Sequence, residues 1–599
     1  MKKLLDIMSE QFEQAFSDCG YDKKYAKVTV SNRPDLCEYQ CNGAMAAAKE
    51  YKKAPFIIAE EVKEKIDFIK AKTLLAEHKY IFEKVEAVKP GFLNIIISQN
   101  FLAYYADSMI QEENLGFVRT DREKTIVIDY GGANVAKPLH VGHLRPAIIG
   151  ESIKRICRFV GDTVIGDVHL GDWGLQMGLI IEQLHREQPD LVYFNENYSG
   201  DFPSEPPFTI DELEKIYPAA SSRAKEDADF KEQAHIATLK LQEGYPPYRA
   251  LWRHILNVSV TDLKKNYENL NVSFELWKGE SDAEAYIPNM LDEFVKSGLA
   301  YESQGALVID VAKEDDTKTI PPCIVRKSDG ASLYATSDLA TLIQRKQDYN
   351  PDEIIYITDN RQDMHFTQIF RAAEKAAICP DTNLVFIGIG TMNGMDGKPF
   401  KTRDGGVMRL EELIASINNA VYDKIMENRT VSEEEAKKVS EIVGLSALKY
   451  GDLSNQASKD YIFDIERFAS FEGNTGPYIL YTIVRIKSIL EKYYAAENKT
   501  SEDEKCINEV QTSAEKALIM EAVKFNSMIE AAYSERAPHK VCAYIYDLSN
   551  AFNRFYHETS IMGEKDEKRQ AGFIRLLKLI QKILETSIDL LGLSAPERM

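Results

Sequence analysis

The sequence predicts a multidomain α/β protein. It has an N-terminal α+β block (residues 1–115), a central block on a mainly parallel sheet (116–440) and a C-terminal all-α helical bundle (441–599). Three observations carry this. The central residues repeat a strand-then-helix rhythm, the pattern of a parallel sheet covered by helices. Beyond about residue 440 strand signals stop and helical periodicity continues. Before about residue 115, short alternating runs mix with runs of helix formers. A length of 599 residues accommodates several domains at roughly 100–200 residues each.

Taken in order, "MKKLLDIMSEQFEQAF" reads as an amphipathic helix; its acidic residues separate it from a signal peptide. "YAKVTVSNRPDL" and "GFLNIIIS" read as strands and "CNGAMAAAKEYKK" as a helix. Central strand candidates are "TIVIDY", "DTVIGDVH", "ALVIDVA", "DEIIYIT" and "NLVFIGIG". "NENYSGDFPSEPPF" (195–208) is turn-rich and reads as an insertion, and "SEDEK" (501–505) as a surface loop. In the C-terminal block Val541, Ile545, Leu548, Phe552, Phe555 and Tyr556 keep helical spacing.

Composition excludes several classes. Hydrophobic residues make up 44% and charged residues 28%, an ordinary globular balance. No apolar run approaches the ~18 residues of a membrane helix. Cys37 and Cys41 form an isolated C-x-x-x-C, which reads as reduced thiols of a cytoplasmic protein and not as a zinc site. A formal charge of −21 does not exclude a nucleic-acid partner, because a local basic face can coexist with an acidic remainder.

The segment richest in chemistry is "GGANVAKPLHVGHLRPAIIGE" (131–151), between a strand and a helix. Pro146 is expected in the first helical turn, placing the helix start near Gly142. A helix N-terminus after a parallel strand presents free N–H groups and a positive dipole end, which suits a phosphate. Gly142 permits close backbone approach to a ligand. His140 and His143 can then hydrogen-bond phosphate oxygens.

"NVAKPLHVGHLR" resembles the HIGH motif of class I aminoacyl-tRNA synthetases, in the extended form of the arginyl-tRNA synthetases. The likeness spans nearly the whole chain. "NRPDLCEYQCNGAMAAAK" and "VKPGFLNIII" resemble that family's N-terminal tRNA-binding domain. "GDVHLGDWGLQMG", "LYATSDLA" and "RQDMHFTQIF" resemble its Rossmann-like catalytic core. "NTGPYILYTIVRI" and "LLGLSAPERM" resemble its anticodon-binding domain.

The resemblance implies an arginine–tRNA ligase, with L-arginine, ATP with Mg2+ and the tRNA for arginine as partners. It implies no tightly bound metal, no membrane and a monomer. The arginine carboxylate attacks the α-phosphate of ATP, pyrophosphate leaves, and a ribose hydroxyl at the tRNA 3′ end takes the aminoacyl group. No enzyme nucleophile is required, so catalysis is positioning and electrostatic stabilisation. His140, Gly142 and His143 fit that role, with Lys137 supplying a full positive charge.

The second class I motif, KMSKS, has a degenerate counterpart in "GKPFKTRDGG" (397–406), a glycine-rich basic loop. Its Lys401 and Arg403 are assigned to the pyrophosphate end, and Lys137 is expected to compensate for the altered motif. Arginine's planar fork asks for carboxylate and amide acceptors beside a flat wall. By resemblance Asp129, Asn134, His140, Tyr334, Asp338 and Gln362 line that pocket, with Gln368 the competing candidate for the glutamine. Tyr334 and Asp338, four apart, share a helical face. "GGAN" stands where relatives usually have a serine and a proline. A non-catalytic tRNA-binding paralogue is the rival reading, and the intact H-V-G-H with Lys137 favours the enzyme.

Overall fold

The computed structural model describes residues 1–599 apart from 70–79, 120–121, 329–332, 399–407, 428–431, 496–505 and 508–509, and for 67–69 it describes the backbone alone. The chain divides into two compact units. One comprises Met1–Arg119, Phe471–Asp589 and Ser594–Met599; the other comprises Thr120–Ser470 and Leu590–Leu593.

In the first unit, β1 (Val28–Val30), β2 (Tyr39–Cys41), β3 (Phe82–Val88) and β4 (Phe92–Ile97) form an antiparallel sheet in the order β1-β2-β4-β3. Period-two alternation buries Leu93, Ile95 and Ile97 on one face of β4. The helix Leu4–Asp18 buries Leu4, Met8, Phe12 and Ala15, spaced for one stripe. Cys37 and Cys41 are buried thiols, Cys37 Sγ lying 3.2 Å from Ser31 Oγ.

Helices of the C-terminal stretch complete this unit. In Pro538–Glu558, Val541, Ile545, Leu548, Phe552 and Phe555 are buried, whereas Tyr556 is 38% exposed. Tyr556 lies just past the edge of the stripe, where its ring stacks on Phe552 and meets Arg485. Asp107 ties early and late residues of the unit together, accepting from Ile507 N at 3.0 Å and pairing with Arg575.

The second unit is built on a four-stranded parallel sheet of β5 (Thr125–Asp129), β6 (Thr163–Asp167), β10 (Glu353–Asp359) and β11 (Asn383–Ile389) in the order β11-β10-β5-β6. The fifth strand candidate, in "ALVIDVA", departs from expectation. It is β8 (Ala306–Ile309), paired antiparallel with β7 (Ala300–Ser303) and β9 (Cys323–Arg326) in a separate sheet. A short apolar run reads alike in either setting, and strand partners are a tertiary property. The pair β12 (Met392–Asn393) and β13 (Tyr461–Ile462) is parallel. Three helices, Ile210–Glu226, Ala228–Gln242 and Pro246–Asn269, are inserted after β6, and residues 195–208 contain neither helix nor strand.

Order in this sheet reverses between β5 and β10, because the chain runs from β5 out to β6 and returns on the other side. Ligands of doubly wound sheets bind outside the carboxyl ends of strands at such a switch point. The helix Val141–Val160 follows β5 and is fixed by buried polar contacts. Arg145 Nε donates to Asp452 Oδ2 at 2.9 Å, and its Nη1 donates to the carbonyls of Gly390 and Lys459.

Candidate functional site

The Val141–Val160 helix begins where the sequence places it, with His140 as its N-cap. Its end differs from expectation in two ways. Pro146 falls in the second turn, and since it has no N–H, the Gly142 carbonyl lacks its i+4 donor. The first N–H groups are also already used. Val141 N donates to Met408 O at 3.1 Å, Gly142 N to His140 Nδ1 at 3.1 Å and His143 N to His140 O at 2.8 Å. The helix end therefore offers its dipole, and the hydrogen-bond donors for an anion must come from the imidazoles.

Those donors are defined by geometry. Gly142 N–H points at His140 Nδ1, and His140 N–H points at His143 Nδ1 at 3.1 Å. Each Nδ1 is thus an acceptor, which leaves Nε2 of each neutral ring as the protonated, donating nitrogen. Burial, with the nearby charge of Lys137, holds His140 below its ordinary range and pushes His143 down to about 3. The rings lie 4.0 Å apart, centroid to centroid. A Cβ on Gly142 would lie 2.8 Å from His140 Cε1, so glycine is what lets that ring fold back over the helix end.

Lys137 Nζ sits 4.5 Å from the centroid of the Tyr217 ring. Asn134 lies against the "GDWG" turn: its backbone bridges to Gly171 and its side chain occupies the space a Cβ at 171 would need. In "GGAN", Gly131 (φ 98°) and Gly132 (φ 60°) are in the left-handed region, which favours glycine at both positions.

Beyond the ends of β5 and β10 lies a pocket of 260 Å3 lined by Asp129, Tyr334, Asp338 and Gln362, together with Gly132, His169, Tyr356, Thr358, His365 and Phe366. Four of the six residues assigned to arginine are brought together here. Asn134 and His140 are outside the lining, and Gln368 donates to the carbonyls of Pro321 and Pro322 instead. Lys401 and Arg403 lie outside the described residues.

Sequence reasoning missed several members. His365 Nε2 lies 2.5 Å from Asp338 Oδ2. Arg345, two turns after Asp338 on the Tyr334–Tyr349 helix, is buried and donates through Nη2 to Asp129 Oδ2 (2.6 Å) and Asp167 Oδ2 (2.7 Å). Its spacing from Asp338 was the available signal. Asp129, Asp167 and His169 gather closely enough for a metal, and the Arg345 guanidinium bridges both carboxylates.

Glu280 adds latent negative charge. Burial, with repulsion from Asp172 and Asp338, pushes it up to about 7, and burial pushes Asp172 up to about 6. Glu280 is neutral below its folded value and ionised above it. A cation held near Asp338 should bind more tightly as pH rises through about 7, by a few-fold. Calorimetric titration with arginine from about pH 6 to about pH 8 checks this, and Glu280→Gln should flatten the profile.

The chain is similar along its whole length to proteins of one family. Residues 106–465 match the family described as tRNA synthetases class I (R), catalytic domain. Residues 479–599 match the DALR anticodon binding domain, and residues 6–97 the arginyl tRNA synthetase N terminal domain. The arginine–tRNA ligase of Agathobacter rectalis is 59% identical, and that of Alkaliphilus oremlandii 55%, each over 100% of both chains. The fold is shared with the arginyl-tRNA synthetase of Plasmodium falciparum (TM-score 0.79, 24% identity, 100% of both chains). It is also shared with that of Thermus thermophilus (TM-score 0.76, 21% identity, 99% of this chain and 100% of that one). Matches of this kind over the full length place the chain in the arginyl-tRNA synthetase family of class I.

Proposed function

We propose that this chain's activity, arginine–tRNA ligation with ATP as substrate, is carried by the pocket at the ends of β5 and β10 and by the cap of the Val141–Val160 helix. The observation that carries the assignment is the convergence of Asp129, Tyr334, Asp338 and Gln362 in one amino-acid-sized pocket of the unit that bears the histidine cap. Asp338, oriented by His365, receives the substrate guanidinium, with Tyr334 and Gln362 beside it. Asp129, held by Arg345, contributes a fixed negative charge at the pocket floor.

Lys137 and the Nε2–H groups of His140 and His143 face the phosphates of ATP, which enters with Mg2+ as its substrate complex. The arginine carboxylate oxygen bonds to the α-phosphorus as the bond to pyrophosphate breaks. A hydroxyl of the tRNA terminal ribose then takes the aminoacyl group, and AMP leaves. Charge on the phosphoryl oxygens grows in the first step, where preorganised donors act most strongly. Lys401 and Arg403 are assigned to the departing pyrophosphate. The N-terminal domain and the C-terminal helices bind the tRNA for arginine, and the protein works as a cytoplasmic monomer. Aminoacylation of total tRNA with each of the twenty amino acids in turn tests the assignment; arginine alone should be transferred.

The C-terminus carries a separate expectation. Pro596 is buried, and Glu597 pairs with Lys487 at 3.1 Å on the surface. If this end supports anticodon contacts, removing residues 596–599 lowers kcat/KM for tRNA and leaves the KM of ATP unchanged. The Glu597 pair contributes no more than about 1 kcal/mol, so a fall in melting temperature should come mainly from losing the buried Pro596. Aminoacylation at sub-saturating tRNA, with a melting curve, measures both.

A further inference from the structure

We infer that Tyr217, on the inserted helix Ile210–Glu226, is a positioning residue that holds Lys137 in the site as an un-neutralised charge. This rests on the assignment of Lys137 to activation and extends it to a residue outside the signature segments. Lys137 Nζ lies over the Tyr217 ring, 4.5 Å from its centroid, and among the described residues no carboxylate forms an ion pair with it. A carboxylate partner would fix the ammonium but cancel its charge. The negative face of an aromatic ring attracts the ammonium while adding no net charge, so the full positive charge stays available for phosphate oxygens.

The ring is itself anchored. Tyr217 packs against the apolar cluster of Ala220, Phe230 and Ala234 on the inserted helices and Leu179 on the helix Leu175–Glu187, and this fixes the direction its face presents. The same helix face touches the other flank of the site. Glu214, one turn before Tyr217, pairs with Arg409 at 2.8 Å, and Arg409 bridges through its backbone to His140. The helix thus contacts the loop bearing Lys137 through Tyr217 and the residue paired with the cap histidine through Glu214.

The test compares Tyr217→Leu, Tyr217→Phe and pentafluorophenylalanine at 217, each alone and with Lys137→Ala, in single-turnover aminoacylation of tRNA. Pentafluorophenylalanine keeps the ring's volume and removes its negative face, so it separates electrostatics from packing even if the leucine variant folds poorly. Tyr217→Leu and the fluorinated ring should each lower the rate about two- to thirty-fold, the span of a cation–ring contact. Arginine KM should be unchanged, and Tyr217→Phe should stay near wild type. Without Lys137, none of these changes should cost anything further. A fluorinated variant at wild-type rate, or an equal loss with and without Lys137, overturns the inference. A wild-type rate for Lys137→Ala alone would instead overturn the assignment on which it rests.

Discussion

Lys137→Ala is expected to slow activation about 100- to 1000-fold with the fold intact, the effect of losing one preorganised charge contact worth roughly 2.7–4 kcal/mol. Lys137 forms no ion pair among the described residues and touches the Tyr217 ring. His140 and His143, held neutral by burial, supply hydrogen bonds but no charge. Among the described residues Lys137 is thus a full positive charge near the cap that no ion pair neutralises, and its loss should appear in kcat for aminoacylation with circular dichroism unchanged. Its removal should also relieve the charge that helps keep His140 neutral, so a histidine titration followed by NMR should move upward. Wild-type turnover would remove Lys137 from the mechanism.

Asp338→Asn keeps the shape of the side chain and removes its charge. Breaking a largely desolvated, hydrogen-bonded charge pair costs about 2–5 kcal/mol, so arginine's apparent KM should rise roughly 30-fold or more. The KM of ATP should hold within experimental error. Asp129 cannot substitute, because one of its oxygens is committed to Arg345. An equal rise for both substrates would make Asp338 a structural residue, with its bond to His365 its main contact.

Much of the architecture was legible because it is local. Four of five central strand candidates form the parallel sheet, since apolar runs between turn signals specify a buried strand. The helix start at His140 followed from the sequence, and Tyr334 and Asp338 share the pocket because residues four apart share a helical face. Partners distant in sequence were not legible. Arg345 meets Asp129 across 216 positions and His365 meets Asp338 across 27, and neither pairing leaves a periodic trace. "ALVIDVA" has the look of a parallel strand but lies in an antiparallel sheet, because its neighbours are chosen by packing.

By itself the sequence determined the family, the order of the elements and the residue types that carry the chemistry, all set by local pattern and by motifs in register. The tertiary structure decided how those residues are equipped. It spent the N–H groups of the helix end on the Met408 carbonyl and on His140, and aimed the His140 N–H at the His143 ring, fixing the donating nitrogens of both imidazoles. It gave Lys137 a ring in place of a carboxylate and clamped Asp129 with an internal guanidinium. The physical reason is that charge state and donor direction depend on burial and on neighbours within a few ångströms, and only folding brings those neighbours together.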